Sequence, residues 1–269
     1  MVMWQVRTAV DLLKAALKDG EKPDRQIIAG MLQQIAVLGE VDTLKELHEV
    51  LKVEELVTQV WFYKCLSDAY CNSGRLEEGI TMLRQEYASN YNLEDVDMFF
   101  IMLTVKAITH FPHRLALIED IINTQETERK LELCATYWLS FVLAEKFDTA
   151  DTMLKDYLFL KKMISLQLSK LKRSSFEVDY NKDRVLVWLF QQPYITKGLR
   201  ASLFDFFIVH KCRENEWDEA LEHILSAMEQ GKKVHKQTLQ MFLSKFLSHM
   251  SKLKIEQLTD WVDNQKKMC

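Results

Sequence analysis

The sequence contains few of the residues that form turns, with only 7 glycines and 3 prolines among 269 residues. An all-β fold needs a turn after every short strand, so this scarcity argues against one. Long apolar runs are also missing. The apolar run that begins at Met98 ends at Lys106 after eight residues, whereas a membrane-spanning helix needs about 20. The chain is therefore not expected to enter a membrane.

Sequence motifs of catalytic and metal sites are missing as well. The five cysteines show no CxxC spacing, which is typical of free thiols in a reducing compartment. His110 and His113 are the only close pair of histidines, and no cysteine or carboxylate stands at ligand spacing beside them. The sequence has no GxSxG, no HExxH and no glycine-rich phosphate loop. We therefore predict no catalytic activity, no metal and no cofactor.

Helix-forming residues, by contrast, are abundant. The chain is 48% apolar and 28% charged, which suits a globular protein with a sizeable core, and its most frequent residues favour helices.

Charge is uneven along the chain. Residues 1–150 carry 15 basic and 24 acidic side chains, a net −9, and residues 151–269 carry 20 and 15, a net +5. A polyanion would favour the second part, unless the difference is only the ordinary variation of a long helical protein.

A pattern recurs about every 35 residues along the chain. The segments "IAVLGEVDTLKEL" around Gly39 and "AYCNSGRLEEGITML" around Gly74 both contain a glycine, then an acidic residue, then an apolar helical period. Weaker copies stand near positions 109, 145, 215 and 250, and the stretch around 180 has no clear copy. The recurrence predicts a repeat protein.

Each copy is predicted to be a pair of helices. Around Gly74, apolar residues at helical spacing come before the glycine and after it: Leu66, Ala69 and Tyr70, then Leu76, Ile80 and Leu83. Gly74 suits the left-handed conformation that ends a helix, and Gly79 would let the two helices approach closely. One pair cannot bury both apolar stripes, but stacked pairs can. The prediction is an all-α fold, a right-handed α-solenoid of about seven two-helix repeats over residues 1–269, with a degenerate middle at 155–200.

Two segments resemble the pentatricopeptide repeat family in its animal mitochondrial type: "KPDRQIIAGMLQQIAVLG" at 22–39 and "CLSDAYCNSGRLEEGITML" at 65–83. Lys22, Pro23 and Asp24 match the junction between repeats of that family. Residues 69–71 and 74–78 match the interior of a repeat, and residues 217–220 match the start of a later second helix. The likeness is good over residues 6–90, fair over 200–262 and poor between them. It implies an α-solenoid that acts by binding.

The resemblance also suggests how the chain begins. Residues 9–24 resemble a second helix followed by a junction, so the first repeat is expected to be truncated and the chain to be a fragment or short form of a longer protein. The alternative is an amphipathic mitochondrial presequence with Arg7, Lys14 and Lys18. Asp11 and Asp19 argue against a presequence, because such segments are poor in acidic residues.

The function that the resemblance implies is mitochondrial RNA metabolism, through non-catalytic binding of single-stranded RNA along the concave surface. In the family, the fifth and the last residue of a repeat read one base. The fifth positions here are Ala29, Lys64, Phe99, Ala135, Asp205 and Gln240, and the last positions that pair with the first two are Gln59 and Glu94. None of these pairs is a usual base-reading combination. The mitochondrial location likewise follows from the resemblance only.

The candidate RNA contacts each have a second interpretation. Phe99 could stack on a base or belong to the core, and Lys64 could meet a phosphate or be solvated. The segment "GKKVHKQT" offers a basic cluster, or else a solvated loop, at Lys232, Lys233, His235 and Lys236. Asp205 and Gln240 complete the set of candidates.

A protein-interaction scaffold is the alternative function, for example a subunit of the mitochondrial ribosome or a partner of an RNA-binding protein. The unusual reading positions and the acidic N-terminal half favour it, since phosphate contacts supply most non-specific affinity for nucleic acid. A protein partner would bind through the concave surface or through that acidic half. Basic side chains along the concave face would favour RNA instead.

Overall fold

The structure, a computed structural model, is all-helical, and no strand occurs among the residues it describes. These are residues 2–21, 23–53, 56–89, 93–174, 180–229, 234–246, 248, 250–251, 255–256 and 258–261. The chain divides into two compact units, residues 1–180 and 181–269. None of the described helices is both long and apolar enough to cross a membrane.

The first unit contains ten α-helices and one short 3₁₀ helix among its described residues. They are α1 (Val2–Lys18), α2 (Arg25–Val37), α3 (Val41–Val53), α4 (Gln59–Asn72), α5 (Leu76–Ala88), α6 (Leu93–His110), the 3₁₀ helix Pro112–Arg114, α7 (Leu115–Asn123), α8 (Thr127–Leu143), α9 (Phe147–Asp156) and α10 (Leu160–Ser174).

The helices of the first unit form a row with a second set of helices along one side. In the row, α2, α4, α6, α8 and α10 each pack on the next, and α3, α5, α7 and α9 pack beside them. The core lies between the row helices and the helices beside them. Helix α6 is its most buried element, and Phe99, Phe100 and Leu103 of this helix are fully buried. An almost continuous apolar sequence in α6 suits this position, because the helix has neighbours on several sides.

Four helix pairs are joined by turns of the same geometry. In these turns the residues with positive φ are Gly39 (73°), Gly74 (70°), Glu145 (57°) and Asn215 (63°), and Gly20 (78°) ends α1 in the same way. After each, the next N–H donates to the carbonyl five residues earlier, as Arg75 does to Tyr70 at 2.9 Å. One left-handed residue thus satisfies the last carbonyl groups of a helix. The predicted conformation of Gly74 is confirmed, and the same turn occurs at two residues other than glycine.

Close contacts within and between helix pairs explain the small residues there. A Cβ atom on Gly79 would lie 2.8 Å from the ring of Tyr70, so the predicted packing role of Gly79 is confirmed. A Cβ atom on Gly39 would lie 3.1 Å from the backbone nitrogen of Ser73, in the next turn of this kind. The Asn72 amide donates to the Ala36 carbonyl at 3.0 Å and links the same two turns.

The second unit contains four α-helices among its described residues: α11 (Lys182–Gln191), α12 (Lys197–Arg213), α13 (Trp217–Glu229) and α14 (Lys236–Phe246). The helix α12 packs against each of the other three. Ile208, Ile224 and Phe242 are fully buried in the core they share. The boundary between the units, after Tyr180, falls inside the stretch that the sequence predicts to be degenerate. A single solenoid through both units stays a prediction.

Candidate functional site

Two residues that the family resemblance pairs, Ala29 and Gln59, line one cleft in the first unit. The cleft has a volume of about 460 Å³ and is lined by Arg25, Ala29, His48, Leu51, Leu56, Val57, Thr58, Gln59, Trp61 and Phe62. These residues come from the start of α2, the second half of α3, the segment 56–58 that precedes α4 and the start of α4. The cleft therefore lies where two row helices begin side by side.

Both helices are capped at this cleft. The Asp24 carboxylate accepts a hydrogen bond from the Gln26 N–H at 2.6 Å and starts α2. The Thr58 hydroxyl accepts one from the Trp61 N–H at 3.3 Å and starts α4. Helix N-termini carry partial positive charge, and Arg25 adds a full positive charge. The Asp24 carboxylate offsets this charge at the start of α2, so an anionic group would fit beside Arg25 and the start of α4, where the cap is a neutral hydroxyl.

Aromatic rings provide the apolar surface of the cleft. The rings of His48 and Phe62 stack with centroids 4.3 Å apart, and His48 Nε2 lies 3.2 Å from Gln59 Oε1. Trp61 is half-buried, and its buried Nε1–H has no hydrogen-bond partner among the described residues. The cleft thus combines a planar apolar ring, an unused donor, an amide and a cation. That combination suits a planar, polar-edged group such as a nucleobase.

Lys64, a predicted RNA contact, lies beside the cleft in a set of paired charges. Its Nζ is 3.1 Å from an Asp68 carboxylate oxygen, 3.5 Å from Gln33 Oε1 and 5.4 Å from the centre of the Trp61 ring. Lys106 pairs with the same carboxylate at 2.8 Å. Asp68 therefore neutralises part of the positive charge that Lys64 would offer to a phosphate.

Phe99 is fully buried between α4 and α6. Its ring stacks on that of Tyr63 with centroids 4.5 Å apart and planes 12° apart. A base could reach the Phe99 ring only if these helices separated. Phe99 therefore belongs to the core, and its stacking on RNA, one of the two interpretations above, does not fit the structure.

The other described candidates lie in the second unit. The buried Asp205 carboxylate accepts a hydrogen bond from the His235 N–H at 2.9 Å, and its other oxygen is 3.5 Å from His235 Nε2. Asp205 thus positions the start of α14, and its burial keeps it from an RNA strand. The His235 side chain is 75% exposed, and Lys236 and Gln240 are exposed one turn apart. The predicted contacts Lys232 and Lys233 lie outside the described residues.

Two clusters of buried charge were not predicted from the sequence. In the first unit, the buried Asp97 carboxylate pairs with Arg129 and, at 2.7 Å, with Lys170, and it accepts a hydrogen bond from the Tyr87 hydroxyl at 3.0 Å. Burial and this carboxylate raise the pKa of Tyr87. The partners are 10 to 73 residues apart, so no local pattern reveals the cluster.

The second cluster surrounds Lys211. Its ammonium, whose side chain is only 3% exposed, lies 2.8 Å from Asp183, 2.7 Å from Glu216 and 2.6 Å from Glu219. Hydrogen bonds to the three carboxylates outweigh the effect of burial and raise the pKa of Lys211. A permanently charged ammonium with three partners is suited to holding helices together.

The described cysteines are free thiols. Burial raises the pKa of Cys71 and of Cys134, and it raises that of Cys212 to about 11. A thiol with a raised pKa is a weak nucleophile at neutral pH, because only its thiolate reacts. These side chains are therefore suited to packing.

Comparison with protein-family models finds no match to this chain, and comparison with curated proteins finds none either.

Proposed function

We propose that the chain is a helical-repeat protein of the pentatricopeptide type that binds single-stranded RNA without chemistry. Its role would be the stability, processing or translation of mitochondrial RNA, as the resemblance implies. The four equivalent turns support the α-solenoid part of this proposal. Their positive-φ residues are Gly39, Gly74, Glu145 and Asn215, at intervals of 35, 71 and 70 residues, which are one, two and two repeats.

The observation that carries the RNA proposal is the cleft at Ala29, Gln59 and Trp61. A base could stack on the half-buried Trp61 ring and hydrogen-bond to Gln59, while Arg25 and the N-terminus of α4 receive a phosphate. Ala29 offers no polar group at the fifth position. The cleft is therefore proposed to hold bases with little preference among sequences.

A second contact is proposed on α14. His235, Lys236 and Gln240 are exposed at the start of this helix. The unit that contains them carries 14 basic and 11 acidic residues, a net +3, whereas residues 1–180 carry 21 and 28, a net −7. Phosphate contacts from the second unit would add to the salt-dependent part of the affinity.

Binding to a pool of single-stranded RNA at about 50 and 200 mM salt tests the proposal. The wild-type chain should bind, and more weakly at the higher salt concentration. Trp61→Ala should weaken binding about tenfold through lost stacking, and Lys236→Ala should reduce the salt dependence. Tyr157→Ala and Lys162→Ala are the matched controls, because both side chains are exposed elsewhere, and they should bind as the wild type does. Absence of binding at low salt would contradict the proposal.

The second candidate function is a protein-interaction scaffold. The observation in its favour is the pairing of cations in the first unit: Lys64 and Lys106 with Asp68, and Arg129 and Lys170 with Asp97. Cations held by carboxylates have less to offer a phosphate backbone. If the chain fails to bind RNA, capture of a protein through the acidic first unit becomes the favoured function.

A further inference from the structure

Ion pairs on the surface of the first unit join the helices beside the row to one another. These side helices are α1, α3, α5 and α7, each of which packs on a row helix. Among the described residues, the ion pairs that join neighbouring side helices, or the turns just before them, form a set of side ties: Lys14–Glu46, Asp42–Arg75, Lys45–Glu78, Glu77–Arg114 and Arg84–Asp120. The ties therefore run from α1 to α7 along one side of the unit.

Arg75 lies at the centre of the side ties. Its Nη1 and Nη2 donate to the two carboxylate oxygens of Asp42 at 2.9 and 3.0 Å, and its Nε donates to Glu78 at 2.6 Å. A bidentate arginine–carboxylate pair within a network is the arrangement in which exposed charges hold helices together best. Arg75 thus connects α3 to the start of α5 through charge.

The side ties are more exposed than the ion pairs of the row. The Asp42 and Asp120 side chains in the ties are 76% and 56% exposed, whereas Asp68 and Asp97, which pair with cations of the row, are 17% and 5% exposed. Salt screens exposed charges strongly and buried pairs much less, and the Debye length falls from about 10 Å at 0.1 M to about 3 Å at 1 M. A rise in ionic strength should therefore weaken the side ties before it weakens the row.

Direct packing differs between the two sides in the same direction. Successive row helices pack on each other through buried apolar side chains, such as Tyr63 of α4 on Phe99 of α6. Among the described residues, neighbouring side helices touch far less than neighbouring row helices do. Apolar burial does not depend on the screening of charge. The row is therefore the side that salt leaves in place, and the side helices depend more on their ion pairs.

We propose that the side ties make the first unit a spring that responds to ionic strength. When the ties weaken, the side helices spread apart while the row helices keep their spacing, so the row bends. At physiological ionic strength the Debye length is about 8 Å, so the ties are partly screened and the bend can change in either direction. This inference goes beyond RNA binding and is tested without RNA.

Pulsed electron paramagnetic resonance distances between two spin labels on the full chain test the proposal. One label pair is placed on side helices, at Leu12 of α1 and Asn123 of α7, and the other on row helices, at Gln26 of α2 and Glu128 of α8; all four positions are exposed. Noncanonical amino acids carry the labels, so the native cysteines stay unchanged. Between about 20 and 500 mM NaCl, the mean side distance should increase by about 3 Å or more and the row distance should change by less than about 1 Å.

Variants reproduce the effect of salt at one tie. Arg75→Gln should lengthen the side distance already at low salt and reduce its further response to NaCl by about half, because one of the ties is gone. Lys162→Gln is the matched control, since it removes one exposed positive charge of α10 outside the ties, and it should respond as the wild type does. Arg84→Asp should also lengthen the side distance at low salt, and adding Asp120→Arg should restore it.

Three results would overturn the proposal. The first is a side distance that does not change with salt, and the second is an equal change in the row distance. The third is a wild-type side distance in Arg75→Gln at low salt. Circular dichroism should be the same at both salt concentrations, because bending leaves the helices intact; a loss of helix at high salt would mean unfolding and would also overturn it.

Discussion

The two units hold buried charge in opposite ways. In the first, a buried carboxylate, Asp97, pairs with the half-buried cations Arg129 and Lys170. In the second, a buried ammonium, Lys211, pairs with three carboxylates that remain partly exposed. A buried charge needs partners, whereas a partly exposed one can also be solvated by water. The two clusters therefore differ in what remains when the central charge is removed: half-buried cations in the first unit, and partly exposed carboxylates in the second.

Removal of Asp97 is expected to have the largest effect. Asp97→Ala leaves Arg129 and Lys170 without their shared carboxylate and leaves the buried Tyr87 hydroxyl without its acceptor. Loss of one partner from a buried ion pair costs about 3–5 kcal/mol in the free energy of unfolding. Hydrogen exchange resolved by peptide can measure this loss for the first unit separately. Asp120→Ala, which breaks an exposed pair with Arg84, should cost below about 1 kcal/mol.

Removal of Lys211 is expected to have a smaller effect. Lys211→Met takes away the buried charge and leaves Asp183, Glu216 and Glu219, whose side chains are 44–56% exposed. Because water can solvate these carboxylates, the free energy of unfolding of the second unit should fall by about 1–2 kcal/mol. Hydrogen exchange of the α12 and α13 peptides measures this decrease in the free energy of unfolding. The control is Lys162→Met, at an exposed lysine. A loss as large as that of Asp97→Ala would contradict the contrast between the clusters.

Mildly acid pH is expected to have the smallest effect, through two histidines of the second unit. Burial and the nearby Lys182 lower the pKa of His210, against the opposing charges of Asp183 and Glu214, and burial lowers that of His223, against Glu222 and Glu219. In the unfolded chain each histidine takes up a proton near its ordinary pKa of 6.5. The folded chain does so only at lower pH, so protonation favours unfolding.

Stability from these two histidines is therefore complete above about pH 6.5 and declines as the pH falls toward their lowered pKa values. Urea unfolding of the second unit, measured at pH 7.5 and at pH 5.5, should show a lower midpoint at the acid pH. The double variant His210→Gln and His223→Gln should show a smaller decrease. An equal decrease in the double variant would assign the acid sensitivity to other groups.

Local features of the fold could be predicted from the sequence, because their causes are local. Few glycines and prolines, together with apolar residues at helical spacing, predicted an all-helical chain. The turn at Gly74 and the close approach at Gly79 were predicted from residue type. Glu145 and Asn215 adopt the same turn without glycine. Only the spacing of about 35 residues between repeats indicated a turn at these positions.

The candidate site was less predictable because it depends on contacts between helices. The resemblance named Ala29 and Gln59 as a pair, but Trp61, Arg25 and the stacked His48 lacked any local signal. Phe99 and Lys64 could each be assigned two roles from the sequence. Their neighbours, Tyr63 for one and Asp68 for the other, come from the folded arrangement.

The sequence by itself determined the helices and the turns between them, since these depend on residue type and on spacing within one helix. Only the tertiary structure decided which charges are buried, which aromatic rings are covered and which side chains meet in a cleft. Asp97 and Lys211 have the same chemistry as many surface residues of this chain. They differ because helices distant in sequence pack around them, and burial makes the pairing of their charges necessary.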